Sequence, residues 1–317
     1  MSDYIGVITF DHSIYCRKEI SGKTFKTKIS DREVLIIFPS IPDDYNPNQS
    51  DLENGDLIVP HNLFKRKINW GFINAWPAGL FSVNSVLCYF SGNESDISEI
   101  YQDFPRWKEK LYKLNLIDIG DYLLPEQKLP ALVRGGGFDD GLQFFEKRDN
   151  CLAYLNNSRT TDPIKVHFVE TKETYTFSEL KDLFEQAGSS QEIALSYELL
   201  ITAYRSLERH DFRSAVILAG SALEQAIVKR MRAEYPSNTK YKKAKSNKNH
   251  LMLNGRFNWL KEKNIPIPIA DYDKTIIKVR NDAAHDGICP SYSQTKRCLE
   301  NCKMLITAYN SCKLEQE

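Results

Sequence analysis

The 317-residue sequence lacks any uninterrupted apolar run close to the roughly eighteen residues that span a bilayer. Its first residues carry acids where a signal peptide would carry a basic start and an apolar block, so we expect a cytoplasmic protein that does not bind membranes. The seven cysteines are scattered, odd in number and without a CxxC pair, which favours neither a disulfide framework nor a zinc site. HExxH and HxxxH patterns are also missing, and we expect no metal and no cofactor.

The formal net charge is zero, but charge is unevenly distributed along the chain. Residues 1–190 contain 21 Lys and Arg against 28 Asp and Glu, whereas residues 191–317 contain 21 against 14. This asymmetry indicates that the carboxy-terminal part, if either, meets phosphate. Packing of the acidic part against the basic part would explain the same asymmetry.

The first 188 residues are predicted to form a mostly-β domain. Short apolar runs of strand character, separated by turn signals, recur at residues 4–10, 13–20, 23–29, 33–41, 80–90 and 164–176. Helices are expected at residues 97–115 and 176–188, and a Gly-Ser-Ser break after the second marks the domain boundary. No motif identifies a ligand here, and our hypothesis is that this domain senses a trigger or a protein partner.

Helical patterns fill the remainder of the chain, which we predict to be an all-α domain at residues 189–317. Helices are expected over residues 190–209, 211–234, 257–263, 272–286 and 293–312. Ser189 and Glu192 fit a capping box for the first of them, and Asp211 is a suitable cap for the second. Short connections favour an up-and-down bundle, so the fold class is α+β.

The second of these helices is apolar nearly all round. From Ser214 to Val228 it carries a single charged residue, Glu224, among many small ones. Such a helix must be covered on more than one side, which favours a bundle that also dimerises.

The segment between the second and third helices is rich in lysine. Residues 236–250 contain five lysines and no acid, and we predict a solvated loop. Its lysines are also a candidate RNA-binding arm that would steer a polyanion towards the protein: Lys240, Lys242, Lys243, Lys245 and Lys248.

The stretch KVRNDAAHDG at residues 278–287 places a cation on the apolar face of a helix. Ile276 lies one turn before Arg280 and Ala284 lies one turn after it. An unpaired charge in such a position is costly, on the order of 3–5 kcal/mol for a broken buried pair. Arg280 therefore needs an anion, either Glu224 inside the protein, where the pair would fix helix register, or a phosphate outside it.

Two further polar residues accompany Arg280. Asn281 and His285 lie four residues apart on the neighbouring face, and Gly287 is a natural helix-ending residue. Asp282 is close enough to pair with the imidazole, so His285 also fits an ordinary helix-end residue. Because Arg280 and His285 are about 140° apart around the axis, we expect two copies facing across a two-fold axis to hold a phosphate better than one.

The spacing Arg280-Asn281-x-x-x-His285 resembles the signature of the HEPN superfamily. In that family an arginine, commonly followed by Asn, Asp or His, precedes a histidine with four to six residues between them. The resemblance covers roughly residues 190–317. It includes a bundle of four or more helices, the motif on a late helix, and an acidic residue on the second helix, where Glu224 falls.

Many members of this family are metal-independent ribonucleases of toxin–antitoxin, abortive-infection and CRISPR-associated systems, active as dimers with the motifs apposed. The resemblance implies a homodimeric endoribonuclease in which His285 acts as acid or base and Arg280 stabilises charge on the phosphate. Asn281 would position the phosphate or orient the histidine, with Glu224 and Asp282 in supporting positions. Other family members are inactive, and the alternative is a module that dimerises and binds a protein partner or a nucleotide.

Overall fold

The computed structural model describes residues 2–42, 57, 70–73, 80–120, 145–148, 151–154, 174–235, 237–310 and 312–315. Most of the strand expected at residues 164–176 lies outside these residues. The chain divides into two compact units, Met1–Asp103 with Leu124–Glu185, and Phe104–Leu123 with Gln186–Glu317. An antiparallel sheet characterises the first unit and helices dominate the second, so the fold is α+β.

The first unit is built on an antiparallel sheet with the strand order β1-β5-β3-β2, in which β4 also pairs with β5. The strands are β1 (Ser2–Arg17), β2 (Thr24–Ile29), β3 (Arg32–Ile37), β4 (Gly71–Ile73) and β5 (Leu80–Gly92). A separate hairpin pairs β6 (Phe145–Arg148) with β7 (Cys151–Tyr154).

The two strands expected at residues 4–10 and 13–20 are in fact one strand, β1. Its pairing with β5 shifts register between Thr9 and Ile14, where the sequence suggests a turn. The Ser13 hydroxyl donates to Asn84 Oδ1 at 2.7 Å, so the polar residues at this point stabilise an irregularity within the strand.

Eight α-helices lie among the described residues, none of them long and apolar enough to cross a membrane. They are α1 (Glu94–Ile119), α2 (Phe177–Ala187), α3 (Leu195–Glu208), α4 (Phe212–Glu234), α5 (Asn238–Lys245), α6 (Met252–Glu262), α7 (Val279–His285) and α8 (Tyr292–Tyr309).

Helix α2 covers the buried face of β2. The side chains of β2 alternate between exposed and buried, as period-two patterning requires, and Phe25 is among the buried ones. The ring of Phe184 on α2 lies 5.7 Å from that of Phe25, and the Thr27 hydroxyl donates to the Phe184 carbonyl at 2.8 Å. The helix is therefore fixed to the sheet by aromatic packing and a buried hydrogen bond.

Helix α3 begins later than the sequence suggests, and the expected capping box does not form. The Ser189 hydroxyl donates to the Gln186 carbonyl instead, and α3 starts after Ala194 without a side-chain cap. The residues before α3 pair with the carboxy-terminal segment, where the Ala194 amide donates to the Lys313 carbonyl at 2.8 Å. A long-range pairing thus overrides the local capping signal.

Helix α4 is the centre of the second unit. Asp211 caps it as expected, accepting a hydrogen bond from the Ser214 amide at 3.1 Å. The helix packs against α3, α6, α7 and α8, which explains why it is apolar nearly all round.

The lysine-rich segment is helical and not the solvated loop expected from its composition. It contains α5 and a short 3-10 turn, Lys248–His250. The Arg232 guanidinium lies 5.1 Å from the ring centroid of Tyr241 on α5, and His250 is buried with its Nε2 2.8 Å from Glu262 of α6. One aromatic ring and one buried imidazole anchor a segment that is otherwise highly charged.

The helix expected at residues 272–286 has two parts. A π-helical stretch, Asp273–Lys278, precedes α7 directly. Within it the Thr275 hydroxyl donates to the Asp271 carbonyl at 2.9 Å and accepts from the Asn301 amide of α8 at 2.8 Å. Wider π-helical turns shift the residues that follow around the axis, and such turns recur at functional sites.

We expect the Asp211 cap to stabilise the protein in a pH-dependent way. Hydrogen bonds from Ser214 hold the pKa of the Asp211 carboxyl below its usual value. A lowered folded pKa means that the stabilisation is present above the unfolded pKa, about 3.9, and is lost as the pH falls through the folded value. Replacing Asp211→Ala should lower the free energy of unfolding by about 1 kcal/mol at pH 7, measured by urea titration of the full chain.

The Asp211→Asn variant is the matched control, since asparagine caps a helix without titrating. Its unfolding free energy should stay near that of the parent at pH 7. The difference between parent and Asp211→Ala should shrink near pH 3, and a difference that is the same at both pH values would contradict the assignment.

Candidate functional site

Arg280 crosses α4 at a glycine. It is the second residue of α7, and a Cβ built on Gly220 of α4 would lie only 2.9 Å from its Cγ. Any larger residue at position 220 would displace the arginine stem. Glycine in a helix interior costs about 1 kcal/mol relative to alanine. The close approach of Arg280 therefore explains why α4 has a glycine at position 220, although glycine is unfavourable inside a helix.

Among the described residues, no carboxylate pairs with Arg280. Its Nη1 donates to Asn281 Oδ1 at 3.1 Å and lies 3.5 Å from His285 Nε2. Its Nε is buried and has no hydrogen-bond partner among the described residues, and none of their carboxylates lies within 4.0 Å. Within the described residues the guanidinium charge therefore has no opposite charge near it, and an external anion would compensate it.

Arg280 and His285 meet within a single chain. We expected them to diverge around the helix axis, and the 3.5 Å separation corrects that expectation. The spacing fixes the directions of the two Cβ atoms, but the long arginine side chain extends along the helix surface to the imidazole. The imidazole is also exposed to solvent.

Glu224 faces Arg256 and not Arg280. Its Oε1 lies 4.0 Å from Nε of Arg256, a residue of α6 that is 5% exposed. Burial lowers the pKa of Arg256, and the Glu224 charge acts in the opposite direction. The ion pair of Glu224 with Arg280 that the sequence offered as an alternative is therefore absent. The sequence did not show that α6 brings a second cation to α4.

Helix α7 ends as the sequence predicts. Gly287 has a φ of +70°, and the amides of Asp286 and Ile288 both donate to the Asp282 carbonyl. The Asp282 side chain is half-buried, and the ion pairs of the described residues do not join it to His285. The expected pairing of Asp282 with the imidazole is therefore not formed, and no carboxylate of the described residues pairs with His285.

A second arginine, which the sequence did not reveal, lies at the same end of α7. Arg213, in the first turn of α4, donates from Nε to the Ala283 carbonyl oxygen at 2.8 Å. The last carbonyls of a helix lack intrahelical donors, and a cation there interacts favourably with the helix dipole. Arg213 is exposed, so the His285 end of α7 carries two guanidinium groups. The two residues of this contact are 70 positions apart, and no local pattern signals it.

The candidate RNA-binding lysines are not brought to Arg280. All five are exposed, on α5 and the turn that follows it: Lys240, Lys242, Lys243, Lys245 and Lys248. Their helix contacts α4 at Arg232, whereas Arg280 crosses α4 at Gly220, twelve residues earlier. At 1.5 Å per residue these points are about 18 Å apart along the helix. The lysines thus form a separate basic surface.

No other cluster in the described part of the chain suggests a different chemistry. No three of its His, Cys, Asp or Glu side chains come close enough to hold a metal ion, and six of its cysteines are free thiols. No protein-family model matches the chain, and no characterised protein or solved structure is significantly similar to it. The residues and geometry of this site are therefore the basis for assigning a function.

We predict that Arg280→Met raises the free energy of unfolding by about 1 kcal/mol. The substitution removes a buried donor that has no acceptor and keeps the length and helix propensity of the side chain. Urea unfolding of the full chain at neutral pH measures the change.

Arg256→Met is the matched control, because this second arginine faces a carboxylate inside the fold. Its removal should lower the free energy of unfolding, since Glu224 then loses its partner. A loss of stability from Arg280→Met of similar size would show that Arg280 has a structural role, and would remove the argument for an external anion.

Proposed function

We propose that this protein is a metal-independent endoribonuclease of the HEPN type, a toxin or anti-phage defence effector that acts as a homodimer. The observation that carries the proposal is the meeting of Arg280 and His285 at an exposed helix end, where no carboxylate of the described residues lies within 4.0 Å of the arginine. A cation and an imidazole in contact are the two groups needed to cleave RNA through its own 2′-hydroxyl.

The chemistry divides between the two side chains. His285 Nε2 takes the proton from the 2′-hydroxyl, the 2′-oxygen forms a bond to phosphorus, and the bond from phosphorus to the 5′-oxygen breaks. Arg280 stabilises the negative charge that builds on the phosphate oxygens. The 5′-oxygen leaves with a proton from water or from an imidazolium. The products are a 2′,3′-cyclic phosphate and a 5′-hydroxyl, and DNA is not cleaved because it lacks the nucleophile.

Asn281 orients the guanidinium in this proposal. Its Oδ1 accepts from Nη1 at 3.1 Å, so the amide holds the edge of Arg280 that also faces the imidazole. The remaining guanidinium edge then faces the phosphate. Asn281 was expected to position the phosphate or orient the histidine. Its contact with Arg280 supports the first role, because the amide would position the arginine that binds the phosphate.

Other parts of the chain have accessory roles in the proposal. The lysine surface on α5 increases the local concentration of RNA without contacting the reacting phosphate, as its distance along α4 requires. The amino-terminal unit binds the trigger or protein partner. Dimerisation occurs through the helical unit.

We predict RNA cleavage that persists in excess EDTA and is lost in His285→Ala and Arg280→Ala. Removing the base should slow cleavage by about 10²–10⁴-fold, and removing the cation by about 10²–10³-fold. Labelled RNA and a DNA of the same sequence are incubated with the full chain, and the product ends are tested for cyclic phosphate.

The matched control is Arg230→Ala, which removes an arginine of α4 that pairs with Glu234 on the exposed surface. It should cleave like the parent. Intact RNA across several substrates, with a dimer retained in solution, would refute the enzyme and support the inactive module that binds a partner or nucleotide. Cleavage retained in both site variants would show that the activity lies elsewhere.

We further predict that Gly220→Ala slows RNA cleavage without lowering the free energy of unfolding. Alanine favours the helix by about 1 kcal/mol, which offsets the shift of one side chain, so the free energy of unfolding should not fall. The new Cβ displaces the Arg280 stem from the imidazole, and a displacement of about 1 Å is expected to slow cleavage by about 100-fold.

Ser221→Ala is the control for this variant, since it changes the next residue of α4 and leaves the Arg280 crossing intact. Cleavage assays and urea unfolding are run on both. Parent-like cleavage by Gly220→Ala would mean that the position of Arg280 does not control the reaction.

A further inference from the structure

Three aromatic rings form a ladder at the start of α4. The ring of His210 lies edge-on to Phe212 at 5.8 Å, and Phe212 lies edge-on to Tyr292 at 6.0 Å. Edge-to-face pairs at these distances are favourable. Phe212 is half-buried, whereas His210 and Tyr292 at the two ends of the ladder are exposed, Tyr292 by 50%.

The exposed ring of Tyr292 stands on backbone that is fixed by a helix cap. Tyr292 is the first residue of α8, directly after the cap Ser291. Ser291 accepts from the Gln294 amide at 3.3 Å, and the Gln294 side chain accepts from the Ser291 amide at 2.9 Å, which completes a capping box. A large aromatic surface is thus presented to solvent with little conformational freedom to lose on binding.

The ladder is joined to the Arg280 and His285 site through one arginine. Phe212, its central ring, is followed in the chain by Arg213, whose Nε is bonded to Ala283 two residues before His285. Tyr292 is also only seven residues after His285 in the chain. The Arg213 hydrogen bond thus brings the aromatic ladder and the cationic end of α7 to the same region of the helical unit. Proteins use an aromatic ring and a cation together to bind a base and its phosphate.

We propose that Tyr292 stacks against a nucleobase of single-stranded RNA, next to the phosphate held by Arg280. The inference rests on the proposed ribonuclease function and adds the substrate class. Phe212 supports the tyrosine ring from behind, and Arg213 neutralises a flanking phosphate. Bases within a duplex are already stacked on one another, so the site selects single-stranded segments.

The test uses the His285→Ala background, which binds RNA without turnover, and a single-stranded RNA carrying the fluorescent base 2-aminopurine. Stacking on the tyrosine should quench the fluorescence on binding. Adding Tyr292→Ala should abolish the quenching and weaken binding by about 10-fold, within the range of base stacking on an aromatic side chain. Tyr292→Phe should keep both, because the ring and not the hydroxyl carries the contact.

Tyr101→Ala is the matched control, since Tyr101 is a 76% exposed tyrosine of α1 in the first unit. It should leave quenching and affinity unchanged, and circular dichroism of each variant checks that the helices are intact. A duplex of the same sequence should bind more weakly than the single strand.

The outcomes separate this proposal from the ribonuclease itself. Tyr292-dependent quenching without cleavage by the parent chain would refute the nuclease and support base stacking. EDTA-resistant cleavage together with quenching that survives Tyr292→Ala would refute stacking and leave the nuclease standing. Equal binding of duplex and single strand, failure of Tyr292→Phe to retain quenching, or no binding of the probe would also overturn the stacking proposal.

Discussion

The central constraint in the helical unit is a guanidinium held against an apolar helix with no carboxylate of the described residues within 4.0 Å. The Arg280 stem crosses α4 where only Gly220 leaves room, and its Nε is buried without an acceptor. Both features cost stability, the first through a helical glycine and the second through an unsatisfied donor. Selection for folding alone would not favour these features, which supports a role for this cation in binding an external anion. Because Nε is buried, such an anion would contact the Nη atoms.

A second arginine in the same unit, Arg256, offers a comparison for the surroundings of Arg280. Arg256 is more deeply buried than Arg280, and it has Glu224 within 4.0 Å. Glu224 stands one turn after Gly220 on α4, so an acid is available near the crossing and is directed to the other cation. Nε of Arg256 is itself buried without a hydrogen-bond partner among the described residues, so the two arginines differ in the nearby carboxylate and not in the satisfaction of Nε. Among the described residues, the guanidinium at the exposed end of α7 has no such carboxylate within 4.0 Å.

Local sequence patterns predicted the helices well and the contacts between them poorly. The Asp211 cap, the helix stop at Gly287 and the apolar face bearing Arg280 are all decided within a few residues, and each could be inferred from spacing. The start of α3 and the fold of the lysine segment depend on partners elsewhere in the chain. Arg213 belongs to the second group, because its acceptor is 70 residues away. Gly220 was the one local signal of the crossing, since a glycine inside a helix usually has a packing reason.

The contact between Arg280 and His285 also changes what a second copy of the chain would contribute. We expected dimerisation to bring a cation and an imidazole together, but the 3.5 Å separation shows that one chain assembles this pair alone. In the proposed reaction His285 takes the proton of the 2′-hydroxyl, and the imidazolium that results holds the proton that the departing 5′-oxygen needs. Recognition of the phosphate and proton transfer then belong to each chain separately. On this mechanism a two-fold arrangement would place two such sites side by side and is not needed to assemble either one.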